Sequence, residues 1–281
     1  MDEILRLKRS LTVTISGYYP PEEASALARM LLEEVAGMPY PALVLFGHKF
    51  TEKELAFFAE ASRRLLAHEP IQQILGYAYF DGLKLRVTPD TLIPRPETEE
   101  LCQKILERDL LRPGTRALDI GTGTGAIALF LKDHEPDAEV SAIDVDPETL
   151  LVARQNARDN VLEVSFRQMD LRAYESLGPL DLIVSNPPYI LPSEREEMRP
   201  HVLDFEPPGA LFVPEDDPAL FYRLILEKVT PDLLPGGGVA LELNPLTAEA
   251  VLRMYQDAGF KSELETDMYG RTRFLFAEKR P

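Results

Sequence analysis

The sequence has a single cysteine, Cys102, and no tryptophan. One thiol excludes an internal disulfide framework and any multi-cysteine zinc cluster. Its setting, Leu101-Cys102-Gln103-Lys104-Ile105-Leu106, is helical-looking and marks it as a small core hydrophobe. Basic side chains are scarce, with 30 Lys and Arg against 47 Asp and Glu, a formal charge of −17. That deficit argues against a protein whose main affinity comes from duplex phosphates, which need neutralising cations. No apolar run reaches the ~18 residues a membrane span needs. The opening Met1-Asp2-Glu3-Ile4-Leu5 lacks the charged-then-apolar layout of a secretory signal, and a cytoplasmic protein is expected. The four histidines, His48, His68, His134 and His201, are scattered without ligand spacing, and no metal is expected.

What is present is enough for a real core: 45% of the 281 residues are hydrophobic, and the length suits about two domains. The acidity is uneven, since the first 90 residues carry a net −2 and the remainder −15. Residues 21–37 and 51–67 each have apolar positions at three- or four-residue spacing, and Thr51 with Glu54 forms a helix-start signature. A helical bundle over residues 1–75 is predicted. Tyr77–Val87 has Asp81-Gly82 between two β-prone runs, a hairpin signal. The following Pro89–Pro96 has three prolines in eight residues, so residues 76–95 read as a hairpin and stiff connector. From 96 to 281 the pattern is strand–helix alternation. Strands are expected at Arg116–Ile120, Val140–Val145, Val164–Met169, Asp181–Ser185 and Val239–Leu243, helices at Pro147–Asn160 and Ala219–Lys228, and an antiparallel pair closes the chain. This is an α/β domain with a largely parallel, Rossmann-like sheet.

The first of these strands runs into Asp119-Ile120-Gly121-Thr122-Gly123-Thr124-Gly125, a loop whose glycines allow a tight turn into a helix and close approach to a ligand. Nineteen residues after Gly125 the second strand ends in Asp144, placed to accept ribose hydroxyls. Alone, this pattern does not separate nicotinamide cofactors from S-adenosylmethionine. The fourth strand leads into Asn186-Pro187-Pro188-Tyr189. Two prolines freeze that turn and remove two N–H donors, leaving the Pro187 carbonyl and the Asn186 amide oxygen as acceptors suited to a planar NH2 group. Tyr189 can lie against the flat face of such a group.

These residues together resemble class I S-adenosylmethionine-dependent methyltransferases acting on NH2 groups. More closely, the chain is similar to the HemK/PrmC family of protein-(glutamine-N5) methyltransferases. The likeness extends to Pro70–Gly76, Leu92–Glu99, Phe205-Glu206-Pro207, Pro235-Gly236-Gly237 and Gly270-Arg271-Thr272-Arg273. It implies methyl transfer to the glutamine of the Gly-Gly-Gln motif in class-1 peptide-chain release factors. Gly121, Thr122, Gly123, Thr124 and Gly125 would line the methionine part of the cofactor, with Asp119 near. Asp144 would hold the ribose, and Asp170 and Leu171 would border the adenine. Asn186, Pro187, Pro188 and Tyr189 would hold the glutamine amide, with Asn186 also at the cofactor and Asn186, Pro187 and Tyr189 as the catalytic group. Arg95 and Glu97 would help shape the pocket, and the helical segment would dock the protein substrate. The sequence departs from the family pattern at Leu171, often aromatic there, at Asn244-Pro245, and at Phe212-Val213-Pro214.

An adenine-N6 nucleic-acid methyltransferase uses the same kind of turn but must extrude a base and hold phosphates, against which the −15 charge of residues 91–281 and the lack of a basic recognition segment count. A ribosomal-protein glutamine methyltransferase shares the chemistry. A nicotinamide dehydrogenase lacks a candidate hydride-transfer site and leaves Asn186–Tyr189 unexplained.

Overall fold

Helices open the chain where apolar residues recur with helical spacing, and the computed structural model describes residues 2–280. They are α1 (Asp2–Ile15), α2 (Pro21–Ala36), α3 (Tyr40–Phe46), α4 (Glu52–Leu66) and α5 (Ile71–Leu75). Helix α2 begins on Pro21, carries Glu22 and Glu23 in its first turn, and stops at Gly37, which takes φ +64°. Helix α4 has the reciprocal cap expected from its sequence: the Thr51 N–H donates to Glu54 Oε2 (2.6 Å), and the Glu54 N–H donates to Thr51 Oγ1 (3.3 Å). The inward stripes meet in one core that includes Leu31, Leu43, Phe58 and Leu65. This compact unit extends to Gly76 and takes in Arg199–Phe205. Gln73 Nε2 anchors that segment by donating to the Phe205 carbonyl at 2.7 Å.

The second unit comprises Tyr77–Met198 and the chain from Glu206 on. It opens with the hairpin β1 (Tyr77–Phe80) and β2 (Leu83–Arg86). Asp81 (φ +46°) and Gly82 (φ +83°) both take the left-handed conformation that a tight two-residue turn requires. After the connector come α6 (Pro96–Glu107), β3 (Arg116–Ile120), α7 (Ala126–His134), β4 (Glu139–Asp144), α8 (Pro147–Asp159), β5 (Ser165–Gln168) and β6 (Leu180–Ser185). Then follow α9 (Pro200–Phe205, in the first unit), α10 (Pro208–Leu211), α11 (Leu220–Leu224), β7 (Leu233–Glu242), α12 (Ala248–Asp257), β8 (Lys261–Thr266) and β9 (Thr272–Glu278).

Seven strands form one sheet in the order β5-β4-β3-β6-β7-β9-β8. The first five are parallel, and β9 runs antiparallel to both its neighbours. Two hydrophobic cores flank it. One contains Phe80, Leu85, Leu101, Cys102 and Phe130, and the other contains Tyr222, Val229, Val251 and Tyr255. Strands β4 and β6 lie on opposite sides of β3, so strand order reverses there, and the carboxyl ends of β3 and β6 frame the crevice where open α/β sheets bind ligands.

Two details differ from the sequence expectation. The helix predicted over 219–228 is α-helical only through Leu224 and continues as a π turn over Ile225–Val229. The strand expected at 239–243 begins at Leu233, because Gly236 (φ +80°) and a register shift opposite Leu180/Leu182 let Pro235-Gly236-Gly237 join it. The closing antiparallel pair is present, with β9 seated between β7 and β8. Among the described residues, no helix is long and apolar enough to cross a membrane.

Candidate active site

A cavity of about 710 Å³ opens at the carboxyl ends of β3, β4 and β6. On one side the turn after β3 is folded by its own polar residues. Asp119, fully buried on β3, accepts from Thr122 Oγ1 (2.6 Å) and the Ala128 N–H (3.2 Å), both through Oδ2. Its other oxygen has no partner, and burial pushes its pKa up to about 7. A Cβ built on Gly123, which sits at φ +55°, meets nothing within 4 Å, so the loop leaves room at the cavity. Gly125 serves a different purpose: at φ +86° it starts α7, and a Cβ there would press Ala153 and Leu129 at 3.4 Å.

Asp144 ends β4 with both oxygens anchored. Oδ2 accepts the Gly123 N–H at 3.0 Å and Oδ1 accepts the Asp146 N–H at 3.1 Å. Burial raises its pKa against those bonds. Each oxygen keeps a lone pair for a further donor. Asp170 caps the short turn Leu171–Ala173 by accepting the Arg172 N–H at 2.9 Å, and Leu171 supplies an apolar wall.

On the other side stands the turn after β6. Asn186 Nδ2 donates to Thr98 Oγ1 (2.9 Å), and the Thr98 hydroxyl donates to Glu242 Oε2 (2.7 Å). The Tyr189 hydroxyl donates to the second carboxyl oxygen, Glu242 Oε1, at 3.0 Å. Thr98 lies in the first turn of α6, and Glu242 ends β7 beside β6, so three chain segments converge on Asn186. Glu242 is 1% exposed. Burial raises its pKa, while the two hydroxyls and the nearby Arg273 guanidinium oppose that shift. Burial and the Glu242 charge push the Tyr189 phenol well above its ordinary value, so it remains a donor. Asn244 holds the other end of this tyrosine, donating from Nδ2 to the Tyr189 carbonyl at 3.0 Å.

A clasp encloses the cavity. Glu206, with a fully buried side chain, pairs with Arg95 Nη2 at 2.5 Å and accepts the Ile93 N–H at 3.2 Å. It thereby fixes the proline connector, with Pro94 and Arg95 at the cavity, to the segment carrying Pro207 and Phe212.

Of the residues singled out in the sequence, Gly121, Thr122, Gly123, Thr124, Asp144, Asp170 and Leu171 face this cavity, as do Asn186, Pro187, Pro188 and Arg95. Asp119, Gly125 and Tyr189 stand behind that lining: the first two fold the glycine loop and pack α7, and the tyrosine is turned to Glu242. Thr98 and Glu242 are functional candidates that the sequence does not single out, and Asn244 stands out there only as a departure from the family pattern. Thr98 and Glu242 lie in Leu92–Glu99 and at the end of an expected strand, but nothing local shows that they meet.

Comparison with known proteins matches residues 98–200 to the methyltransferase small domain and residues 18–76 to the PrmC N-terminal domain. A release factor glutamine methyltransferase of Bacteroides thetaiotaomicron is 38% identical over 98% of this chain and 99% of its own length. The chain belongs to the release factor glutamine methyltransferase family. The family's counterpart in Deinococcus radiodurans is 39% identical, with 90% of each chain covered. A methyltransferase from Pyrococcus furiosus superposes with a TM-score of 0.55 at 22% identity, covering 79% of this chain and all of its own, which places the fold in the class I, Rossmann-like methyltransferases. The acceptors and walls described above fit the family's cofactor, S-adenosylmethionine: a double acceptor at Asp144 that suits a ribose, an apolar face at Leu171 that suits adenine, and an unobstructed glycine turn.

Proposed function

We propose that this chain transfers the methyl group of S-adenosylmethionine to the side-chain amide nitrogen of the glutamine in the Gly-Gly-Gln motif of class-1 peptide-chain release factors, and so modulates translation termination. The observation that carries this reading is the state of two cavity-lining acceptors. Asn186 commits its NH2 to Thr98, which leaves Oδ1 without a partner among the described residues, and the adjacent Pro187 carbonyl accepts no hydrogen bond there either.

An amide nitrogen is a poor nucleophile because its lone pair is delocalised. Asn186 and Pro187 each take one of its hydrogens, which holds it in the cleft and favours pyramidalisation, a gain larger in the transition state than in the ground state. S-adenosylmethionine supplies an electrophilic methyl whose bond to sulfur breaks with the electron pair remaining on sulfur. The new N–C bond leaves a nitrogen acidic enough to lose its extra proton to water, so no side-chain base is needed. Placement in near-attack geometry is worth roughly 7–11 kcal/mol of the barrier. Asp144 holds the ribose, the Gly121–Gly125 turn receives the methionine part with Asp119 bracing it, and Asp170 and Leu171 border the adenine. Pro188 keeps the turn rigid. The helical unit docks the protein substrate.

The test is methyl transfer from radiolabelled cofactor to an intact release factor, to the same factor with its Gly-Gly-Gln glutamine replaced by alanine, and to duplex DNA. Label on the intact factor alone is expected. Label on DNA would transfer the case to an adenine methyltransferase, and label on none would require a different acceptor.

A further inference from the structure

An asparagine amide is nearly symmetric in shape, and rotation by half a turn exchanges its oxygen for its NH2 at almost no steric cost. A cleft that uses Asn186 as an acceptor must therefore suppress the flipped state. We propose that Thr98 and Glu242 are positioning residues that fix the sense of the Asn186 amide, so that its oxygen rather than its NH2 meets the acceptor nitrogen. This rests on the glutamine-amide reading above.

The argument is one of proton accounting. A threonine hydroxyl has a single proton. Glu242 Oε2, 2.7 Å away, takes it, so towards Asn186 Thr98 Oγ1 can act only as an acceptor. At 2.9 Å that oxygen accepts from Nδ2; turning the amide would set Oδ1 against an oxygen with no proton to offer. Releasing Thr98 would leave Oε2 of the buried Glu242 carboxyl without a donor, since the Tyr189 hydroxyl serves the other oxygen, Oε1, at 3.0 Å. Arg273 backs the arrangement from behind, with Nη1 at 3.4 Å from the Tyr189 hydroxyl and 3.3 Å from the Leu243 carbonyl. Thr98 and Glu242 are 5% and 1% exposed, so water does not scramble these protons. Glu242 does not line the cavity, and Thr98, which does, has its hydroxyl committed to Glu242 and Asn186, so the effect of both passes through Asn186. The same relay sets specificity. A glutamate carboxylate in place of the glutamine amide would face Asn186 Oδ1 and the Pro187 carbonyl with no hydrogen to share.

The experiment measures kcat and KM for the release factor, cofactor affinity by titration, and melting temperature, for wild type, Thr98→Val, Thr98→Ser and Glu242→Gln. Thr98→Val keeps the shape and removes the oxygen; kcat is expected to fall roughly 10- to 100-fold, the scale of losing one aligned contact at the reacting group. Cofactor affinity should stay within about twofold, since none of these contacts reaches the cofactor half. Thr98→Ser restores the hydroxyl and should recover most of kcat, which a packing role for the lost methyl would not allow. Glu242→Gln keeps the volume but offers an NH2 to one hydroxyl, and should lower kcat without a comparable change in cofactor affinity. It decides the matter if Thr98→Val does not fold. Wild-type kcat in both Thr98→Val and Glu242→Gln would overturn the relay, as would equal losses in Thr98→Val and Thr98→Ser. A wild-type chain that labels no glutamine would instead overturn the function itself, and the relay with it.

Discussion

The two halves of the cleft are built from contacts of very different reach. On the cofactor side, Asp119 bonds Thr122 three residues away, and Asp144 bonds Gly123 across 21. On the acceptor side, Asn186 is separated by 88 residues from Thr98, Thr98 by 144 from Glu242, and Glu242 by 53 from Tyr189. The cofactor half is thus a local fold of one strand–turn–helix unit plus the end of the next strand. The acceptor half exists only once α6, β6 and β7 are packed. A glycine turn of this kind can serve many methyltransferases, whereas in the function proposed above the alignment of Asn186 is what selects the group that is methylated.

The sharpest way to separate the halves is Asn186→Ala. It should reduce methyl transfer by more than about 100-fold, as removal of a preorganised transition-state partner does, while cofactor titration stays near wild type. Full turnover in that variant would remove the proposed mechanism. The reciprocal change, Asp144→Ala, should weaken cofactor binding by about 1.5–3 kcal/mol, the worth of hydrogen bonds to a charged group, with kcat nearly intact at saturating cofactor. An unaltered binding isotherm would strike the ribose assignment.

The Arg95–Glu206 clasp belongs to neither half, since it ties the proline connector to the segment carrying Pro207 and Phe212, and Glu206→Ala tests what it contributes. Removing one member of a pair whose carboxylate is fully buried should cost roughly 2–3 kcal/mol of stability, less than a fully buried pair because Arg95 is 29% exposed. Thermal or denaturant melting reads this, and a melting temperature equal to wild type would show the clasp to be energetically idle.

The last test is one of pH dependence and concerns Asp119. Its pKa rises from the usual 3.8 to about 7 through burial, so its contribution to stability is fully present below pH 3.8 and is lost as pH rises through about 7. Both of its hydrogen bonds fall on one oxygen, and asparagine can reproduce them with its NH2 placed at the unpartnered position. Asp119→Asn should therefore gain stability relative to wild type between pH 4 and 7, by at most about 1.4 kcal/mol per unit of pKa displacement. A difference that does not vary with pH would refute the buried-carboxyl account.

This contrast also explains what is legible in the sequence. The strand ends at Ile120, Asp144 and Ser185, the capping box at Thr51, and the Asp81-Gly82 turn are short-range patterns, and each lies where periodicity and turn chemistry place it. Tyr189 illustrates the opposite case. Its position beside two prolines marks it for the ligand, yet the Glu242 carboxylate, far off in sequence, draws its hydroxyl away from the cavity lining. Glu206 and Asn244 stand out in the sequence only as parts of segments, because the partner each one meets, the Arg95 guanidinium and the Tyr189 carbonyl, comes from a distant part of the chain. Strand order within the sheet is equally non-local: two β-rich runs around Tyr269-Gly270-Arg271 announce a hairpin, but not which of its strands faces β7.

That choice has a consequence for how the molecule comes together in time. Strand β9 follows β8 in the chain but lies between β8 and β7, so β7 remains an open sheet edge until the β8–β9 hairpin docks against it. The loops after β3 and β4 do not depend on that event. The carboxylate of Glu242 does, because its residue pairs with Phe274 of β9. A chain refolding from denaturant is expected to regain cofactor binding first and methyl transfer only when the late hairpin closes, a delay that stopped-flow binding and quenched-activity measurements can resolve.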